Sequence, residues 1–205
     1  MEDQTERPNF LKKKHVVLGI VALIIIGFLF LPSFFSVYSS LSKTEKALKD
    51  SRYNLKIVKK DIFGGALTVQ LDDGTRFDYK CEYRPFALDS GFVPHCGYVF
   101  PDGSRSMGEY IFRKNYDFFY KLLNRYQSVL VKGNTDYIFK VKKQSKLKDF
   151  FADLMKNDDF RNAYIAHKNS EDADFDYIRI EGVEYKNESA SICLFKWADY
   201  MGFEP

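Results

Sequence analysis

Residues 65–83 read GALTVQLDDGTRFDYKCEY, two runs of alternating side chains separated by Asp72-Asp73-Gly74. Leu67, Val69 and Leu71 recur at every second position before the break, and Phe77, Tyr79, Cys81 and Tyr83 do so after it. A period of two is that of a strand with one buried face. A two-residue loop at Asp73-Gly74 would set Leu71 against Arg76 and Val69 against Asp78, mixing apolar with charged side chains. A three-residue loop with Gly74 in the left-handed conformation sets Val69 against Phe77 and Leu67 against Tyr79. Both apolar sets then share one face, as a half-buried sheet requires. The second register is the expected one, and it makes antiparallel sheet the base of the fold.

Towards the N-terminus, Leu55, Ile57 and Ile62 extend the strand pattern. Before them, residues 39–60 read as helix at first, with Leu41, Ala47 and Leu48 spaced among charges and neither Pro nor Gly present. Earlier still lies Val16–Tyr38, VVLGIVALIIIGFLFLPSFFSVY, which has no charged residue and directly follows Lys12, Lys13, Lys14 and His15. Its 23 residues, at about 1.5 Å each in a helix, reach roughly 34 Å and so exceed a hydrocarbon core of about 30 Å. A signal peptide would stop after about 7–15 apolar residues at a small-residue cleavage site. Here the run continues past Pro32 to Tyr38, and a cut after Ser39 with Val37 two places before it is a poor site. A soluble core helix is rarely apolar on every face. An uncleaved anchor is the expected reading, with a kink or helix end at Pro32. It holds no ionisable group, hence no ion path, and Gly19 with Ala22 makes no GxxxG spacing.

The expected organisation is a basic tail over 1–15, a transmembrane helix over 16–38, a basic juxtamembrane stalk over 39–53 and one α+β domain over 54–205. Lys and Arg flank the apolar run almost equally. Four lie before it (Arg7, Lys12, Lys13, Lys14) and five lie in residues 39–58. The N-terminal cluster abuts the run, which favours a cytoplasmic N-terminus, a cell-membrane location and an extracytoplasmic domain, periplasmic in a two-membrane bacterium.

Charge is distributed unevenly. Residues 39–60 carry seven Lys/Arg against Glu45 and Asp50, whereas residues 61–205 carry 20 Lys/Arg against 23 Asp/Glu. A mildly acidic domain lacks the clustered cations of a nucleic-acid-binding face. Lys43, Lys46, Lys49 and Arg52 are the expected contacts to an anionic lipid surface. Aromatic residues make up 17% of the chain, 20 Phe and 14 Tyr among them, so the segment beyond the anchor is expected to fold.

Beyond Tyr83, Pro101-Asp102-Gly103 suggests a second hairpin between Gly97–Phe100 and a run holding Tyr110, Ile111 and Phe112. A helix follows on Phe118, Phe119, Leu122, Leu123 and Tyr126, then strands on Val129–Val131 and Tyr137–Val141 turning at Gly133-Asn134. From Ser145 the stripe Leu147, Phe150, Phe151, Leu154, Met155 is helical, with a break at Asn157-Asp158 before Phe160, Ala163, Tyr164 and His167. Tyr177–Ile180 reads as a strand after an acidic loop, and Ser189–Phe203 reads as helix. The sum is a small antiparallel β-rich domain, barrel-like and partly open, with helices packed on it.

The run YDFFYKLLNRYQSVLVKGNTDYIFKVKK, within residues 115–143, resembles small uncharacterised bacterial envelope domains in which an aromatic-rich helix precedes a strand and a short hairpin. Those domains place Gly-Asp-Ser at the strand entry. Here Arg125, Tyr126 and Gln127 precede Ser128, and Ser128 to Lys132 is one residue longer. The resemblance covers under a fifth of the chain and implies an envelope setting and a small β-domain, with no activity attached.

Candidate chemistry is sparse. Cys81, His95, Cys96 and Cys193 lack the close pairs of a zinc site, so no metal and no cofactor is expected. A Cys81–Cys96 disulfide suits an extracytoplasmic domain, and free buried thiols are the alternative. His95 and Cys96 are neighbours on a strand and point to opposite faces, which removes His95 as a base for Cys96. The acidic residues Asp172, Asp174 and Asp176 read as a solvated loop. Tyr98, Tyr110 and Tyr116, near predicted turns, are the candidate binding aromatics. The expected role is therefore an interaction module held at a membrane, taking a protein or other envelope component as partner, with the bilayer as its support. An envelope-acting enzyme around Cys96 and a lipid-surface scaffold are the alternatives.

Overall fold

The computed structural model describes the backbone of residues 7–83 and 94–204, and side chains from His15 onward within those ranges except Phe28 and Leu29. Of the tail expected over 1–15, residues 1–6 lie outside the described residues, and Arg7 already belongs to the first helix.

Strands β1 (Leu55–Asp61), β2 (Ala66–Leu71), β3 (Arg76–Glu82) and β4 (His95–Val99) form an antiparallel sheet in chain order. The β2–β3 register pairs Val69 with Phe77 and Leu67 with Tyr79. The loop closes through Gly74 N–H to the Leu71 carbonyl at 2.9 Å, with Gly74 at φ +85°. Leu67, Val69, Leu71, Phe77 and Cys81 are all buried on the shared face. Pairing of the apolar sets, rather than the shortest loop, sets this register.

Residues 107–114 are helix where a strand was expected. Helices α2 (Met107–Lys114) and α3 (Tyr116–Arg125) follow the Pro101 turn directly. Ser106 accepts the Glu109 N–H at 3.0 Å and Glu109 in turn accepts the Arg105 N–H at 2.8 Å, a reciprocal cap on α2. Met107 and Ile111, four apart, are both buried beneath it, so the cap and the 3.6 period outweigh the local alternation.

A second sheet takes β5 (Leu130–Lys132), β6 (Ile138–Val141), β7 (Arg179–Tyr185) and β8 (Glu188–Cys193) in that order. Two pairs are antiparallel, but β6 and β7 run parallel, with α4 (Leu147–Leu154) and α5 (Asp158–Asn169) forming the crossover between them. The two sheets are separate and unclosed, which corrects the barrel-like expectation. The C-terminal segment divides into β8 and α6 (Leu194–Tyr200) rather than forming one helix. A two-residue turn, with Lys186 at φ +53° and Asn187 at φ +67°, supplies the hairpin that precedes it.

Helix α1 runs unbroken from Arg7 to Ser51, through Pro32. From Val16 to Leu31 its described large apolar side chains are exposed, and among the described residues this is the one helix long and apolar enough to cross a membrane. From Ser33 onward one face is buried: Ser33, Val37, Leu41, Thr44, Leu48 and Ser51, at steps of four and three. That stripe packs on β2, β3, α5 and the 171–173 turn. The segment expected as a stalk over 39–53 is thus the first core helix of the domain, and the folded unit begins near residue 33.

Leu48 is fully buried in this stripe and Lys46 points to solvent. Leu48→Ala is expected to cost about 2–5 kcal/mol, whereas Lys46→Ala stays within about 0.5 kcal/mol. Denaturant unfolding of the full chain in detergent, followed by emission of buried Trp197, measures both.

Candidate functional site

The three tyrosines singled out from the sequence are dispersed. Tyr98 on β4 is half-buried among Phe77, Tyr79 and Phe100, with ring centroids 5.9, 5.0 and 6.1 Å away. Its hydroxyl faces the Ala173 carbonyl at 3.4 Å, and burial pushes its pKa well up. It is a packing residue, not a surface platform. Tyr110 stacks on Phe100 at 4.9 Å and faces one cleft, while Tyr116, 41% exposed, belongs to another.

The Tyr110 cleft, about 230 Å³, lies between the end of α1, the β2–β3 loop, α2 and α5. The Lys114 ammonium sits 2.9 Å from Asp73 and 3.4 Å from Asp159, and Asn115 donates to Asp159 at 2.9 Å. The Tyr110 hydroxyl donates to Thr75 at 3.1 Å. Burial works against ionisation of Asp73, but the Thr75 N–H and Lys114 outweigh it and hold the carboxyl at about 2. Lys114, Asp73 and Asp159 pair with one another, so the cluster ties the β2–β3 loop to α2 and α5.

The second cleft, about 560 Å³, is different in kind. Tyr116, Phe112, Tyr177 and Tyr137 form a continuous wall, with successive centroids 6.0, 5.5 and 4.7 Å apart. Tyr120 extends it behind Tyr116 at 4.3 Å. The rim carries the ion pairs Arg113–Glu109 at 2.6 Å and Lys132–Asp136. The Thr135 hydroxyl is buried there with no hydrogen-bond partner among the described residues. An aromatic floor with a polar, charged rim is the composition of a recognition surface for an amphipathic partner.

Two glycines bring the walls together. A Cβ on Gly108 would lie 2.4 Å from the Phe175 carbonyl oxygen and 2.9 Å from Tyr177 Cβ, and the Gly108 N–H donates to the Asp174 carbonyl at 3.0 Å. This close approach sets α2, and with it Phe112, beside Tyr177. A Cβ on Gly133 would lie 2.7 Å from the Ile138 carbonyl oxygen, so the 133–137 loop folds tightly enough to present Thr135 and Tyr137. The Gly133 approach belongs to the turn legible at Gly133-Asn134, whereas the Gly108 approach has no local sequence signature, because it depends on the distant 175–177 segment.

The expected solvated acidic loop is instead partly a core segment. Phe175 is buried against Tyr53 at 4.9 Å, and the Asp176 carboxylate accepts the N–H groups of Phe195 and Lys196 at 3.3 and 3.0 Å. His167, buried on α5, has Nε2 4.0 Å from Asp176. Burial pushes Asp176 up to about 7, and the two N–H bonds only partly offset it. Burial also lowers the His167 pKa.

Cys81 and Cys96 pair directly across β3 and β4 and are bridged as a disulfide. Cys96 then has no thiolate, which removes the thiol-enzyme reading at that position. Cys193 is the free cysteine, and burial pushes its thiol up to about 11, away from a nucleophile's range. Among the described residues no group of three or more His, Cys, Asp or Glu is placed to hold a metal ion. Lys43 lies 3.7 Å from Asp172 and Lys49 pairs with Glu45 at 2.6 Å, so two of the four cations expected at lipid have partners within the domain. No family model matches the chain, and comparison with curated proteins and with solved structures gives no match.

Two measurements probe this arrangement. Gly108→Ala is expected to destabilise the fold by about 1–3 kcal/mol, because backbone rather than a flexible side chain occupies the space; a lowered denaturant midpoint reports it. The His167–Asp176 pair is tested by pH. A raised Asp176 pKa contributes stability that is present at low pH and lost as pH rises from about 4 to 7. A lowered His167 pKa contributes stability present above about 6.5 and lost on acidification. The slopes oppose in the parent. Acidifying His167→Gln below pH 7 should therefore raise stability, by up to about 1.4 kcal/mol per pH unit, and acidifying Asp176→Asn should lower it.

Proposed function

We propose that this chain is a single-span membrane protein whose domain, on the side opposite its N-terminus, is a binding module for another protein of the cell envelope. The contact face is the Tyr116–Phe112–Tyr177–Tyr137 cleft. The carrying observation is α1, whose described large apolar side chains from Val16 to Leu31 are exposed and which then enters the domain core from Ser33 without a break. A helix of that kind has lipid as its natural solvent over the first part and protein over the second. The basic cluster abutting Val16 favours a cytoplasmic N-terminus. The Cys81–Cys96 bridge supports the same orientation, since disulfides persist outside the reducing cytoplasm. The cleft favours protein over an inorganic or nucleotide ligand: its floor is aromatic, its rim cations are engaged by carboxylates, and it has no free cationic cluster for phosphate among the described residues.

A reporter fused after Pro205 that is active only outside the cytoplasm is expected to be active, and cytoplasmic activity would overturn the orientation. A photo-crosslinking residue at Tyr116 should form a discrete adduct in intact cells, whereas one at Lys121, exposed elsewhere on α3, should not. Equal adducts from the two positions would remove the cleft as the contact face.

A further inference from the structure

Phe63, in the turn between β1 and β2, is 86% exposed, more than any other large apolar residue described. The turn that carries it is tightly built. Asp61 accepts the Gly64 N–H at 2.7 Å, the Gly65 N–H donates to the Ile62 carbonyl at 3.3 Å, and the Tyr83 hydroxyl donates to that same carbonyl. Gly65 has φ +63°, and a Cβ on it would lie 2.4 Å from the Cys81 carbonyl oxygen. A rigid turn thus holds a phenyl ring outward, away from the core that would otherwise take it.

The ring stands beside the apolar part of α1. Its centroid is 5.8 Å from that of Phe34, which itself lies 6.0 Å from the ring of exposed Phe35. Lys60 fixes this level: its ammonium donates to Ser42 at 3.0 Å, pairs with Glu45 at 2.7 Å and lies 5.3 Å from the centre of the Tyr38 ring. The turn therefore cannot slide along the helix.

We infer that the Ile62–Gly65 turn is a second membrane contact, with Phe63 inserted at the boundary between acyl chains and headgroups of the leaflet through which α1 leaves the bilayer. This rests on α1 crossing the membrane. Counted from Val16 at about 1.5 Å per residue, a hydrocarbon core of about 30 Å ends near Phe35, the level at which Phe63 touches Phe34. The helix faces covered by protein begin at Ser33, so over its last turn in lipid the apolar surface belongs jointly to Phe34, Phe35, Tyr38 and Phe63. An aromatic ring at that depth is the usual interfacial anchor. The Asp61 charge beside it is matched by Lys59 at 3.2 Å, whose exposed ammonium is at headgroup level.

The same count moves the expected lipid contacts. Lys43 lies about 12 Å beyond Phe35, and Lys46, Lys49 and Arg52 about 16–26 Å beyond it. A headgroup layer is roughly 5–8 Å deep, and a tilt of about 40° would shorten those distances by only about a quarter. Lys59, near the end of β1 beside the turn, takes the place assigned to them.

The test is Phe63→Trp in the full chain, reconstituted in phosphatidylcholine vesicles with or without bromine on the acyl chains near their carbonyl ends. Trp197, 1% exposed, supplies a constant background that the parental protein measures. The added emission should be blue-shifted and mostly lost in brominated lipid, with the denaturant midpoint unchanged. Ile24→Trp, at mid-helix, is the control, with bromine deep in the chains. If the indole introduced by Ile24→Trp is quenched while that of Phe63→Trp emits as in water, the turn contact is wrong and the anchor stands. Failure of the mid-helix indole to quench overturns the anchor and the turn contact with it. Blue-shifted emission from Phe63→Trp that bromine leaves intact means protein covers the turn, which also overturns a lipid contact.

Discussion

Everything in this molecule depends on one helix that is apolar and exposed over its first part and buried along one face over its second. The buried stripe of α1 over Ser33–Ser51 includes Val37, Leu41 and Leu48, each fully buried. Burying each such side chain is worth about 1.5–3 kcal/mol, so stripping three of them from the domain costs on the order of 5–9 kcal/mol. That is comparable to the whole stability of an ordinary domain, about 5–15 kcal/mol. The helix end is therefore not a tether from which a finished domain hangs. Without it, the β2–β3 face and the 171–175 segment lose the surface against which they are buried.

A fixed helix constrains what the domain can present. With no swivel between apolar helix and core, the same β1–β2 turn always faces the end of the apolar run, and the aromatic cleft keeps a constant attitude to it. The two clefts then divide by energetics. The Lys114–Asp73–Asp159 cluster consists of partly exposed ion pairs, each worth little in stability, but its geometry spans three elements and so positions them. The aromatic cleft leaves Tyr116 partly exposed at its edge. The central charges of one cleft pair with one another; the other leaves an aromatic side chain exposed.

The parts legible in the sequence were those whose signal is local. Gly74 and the matched apolar sets gave the β2–β3 register, and the Leu147–Met155 stripe with the break at Asn157-Asp158 gave α4 and α5. Residues 107–114 were misread because Tyr110, Ile111 and Phe112 suggest a strand, while the reciprocal Ser106–Glu109 cap weighs more. The parallel β6–β7 pair, the division of the last segment and the burial of Phe175 depend on contacts between distant residues, which periodicity does not carry. Of the residues that line the aromatic cleft, Tyr116 was singled out by its place near a turn. Phe112, Tyr137 and Tyr177 were not, since the close approach at Gly108 and the pairing of β6 with β7 bring them together.

The stalk reading failed for a related reason. Lysines spaced along 39–53 resemble a solvated helix when counted by charge, yet Leu41, Thr44, Leu48 and Ser51 form a seam beneath them. The seam also changes what lipid contact at the turn can accomplish. In the proposed arrangement a helix with about 20 apolar residues already holds the chain in a bilayer, so one more phenyl ring adds little to whether it stays there. Phe63 instead fixes rotation. It lies to one side of the helix axis, and turning the rigid unit about that axis or tilting it away lifts the ring into water. On the inferred lipid contact, a single side chain, set by a glycine-dependent turn and clamped through Lys60, favours one orientation of the domain over the membrane.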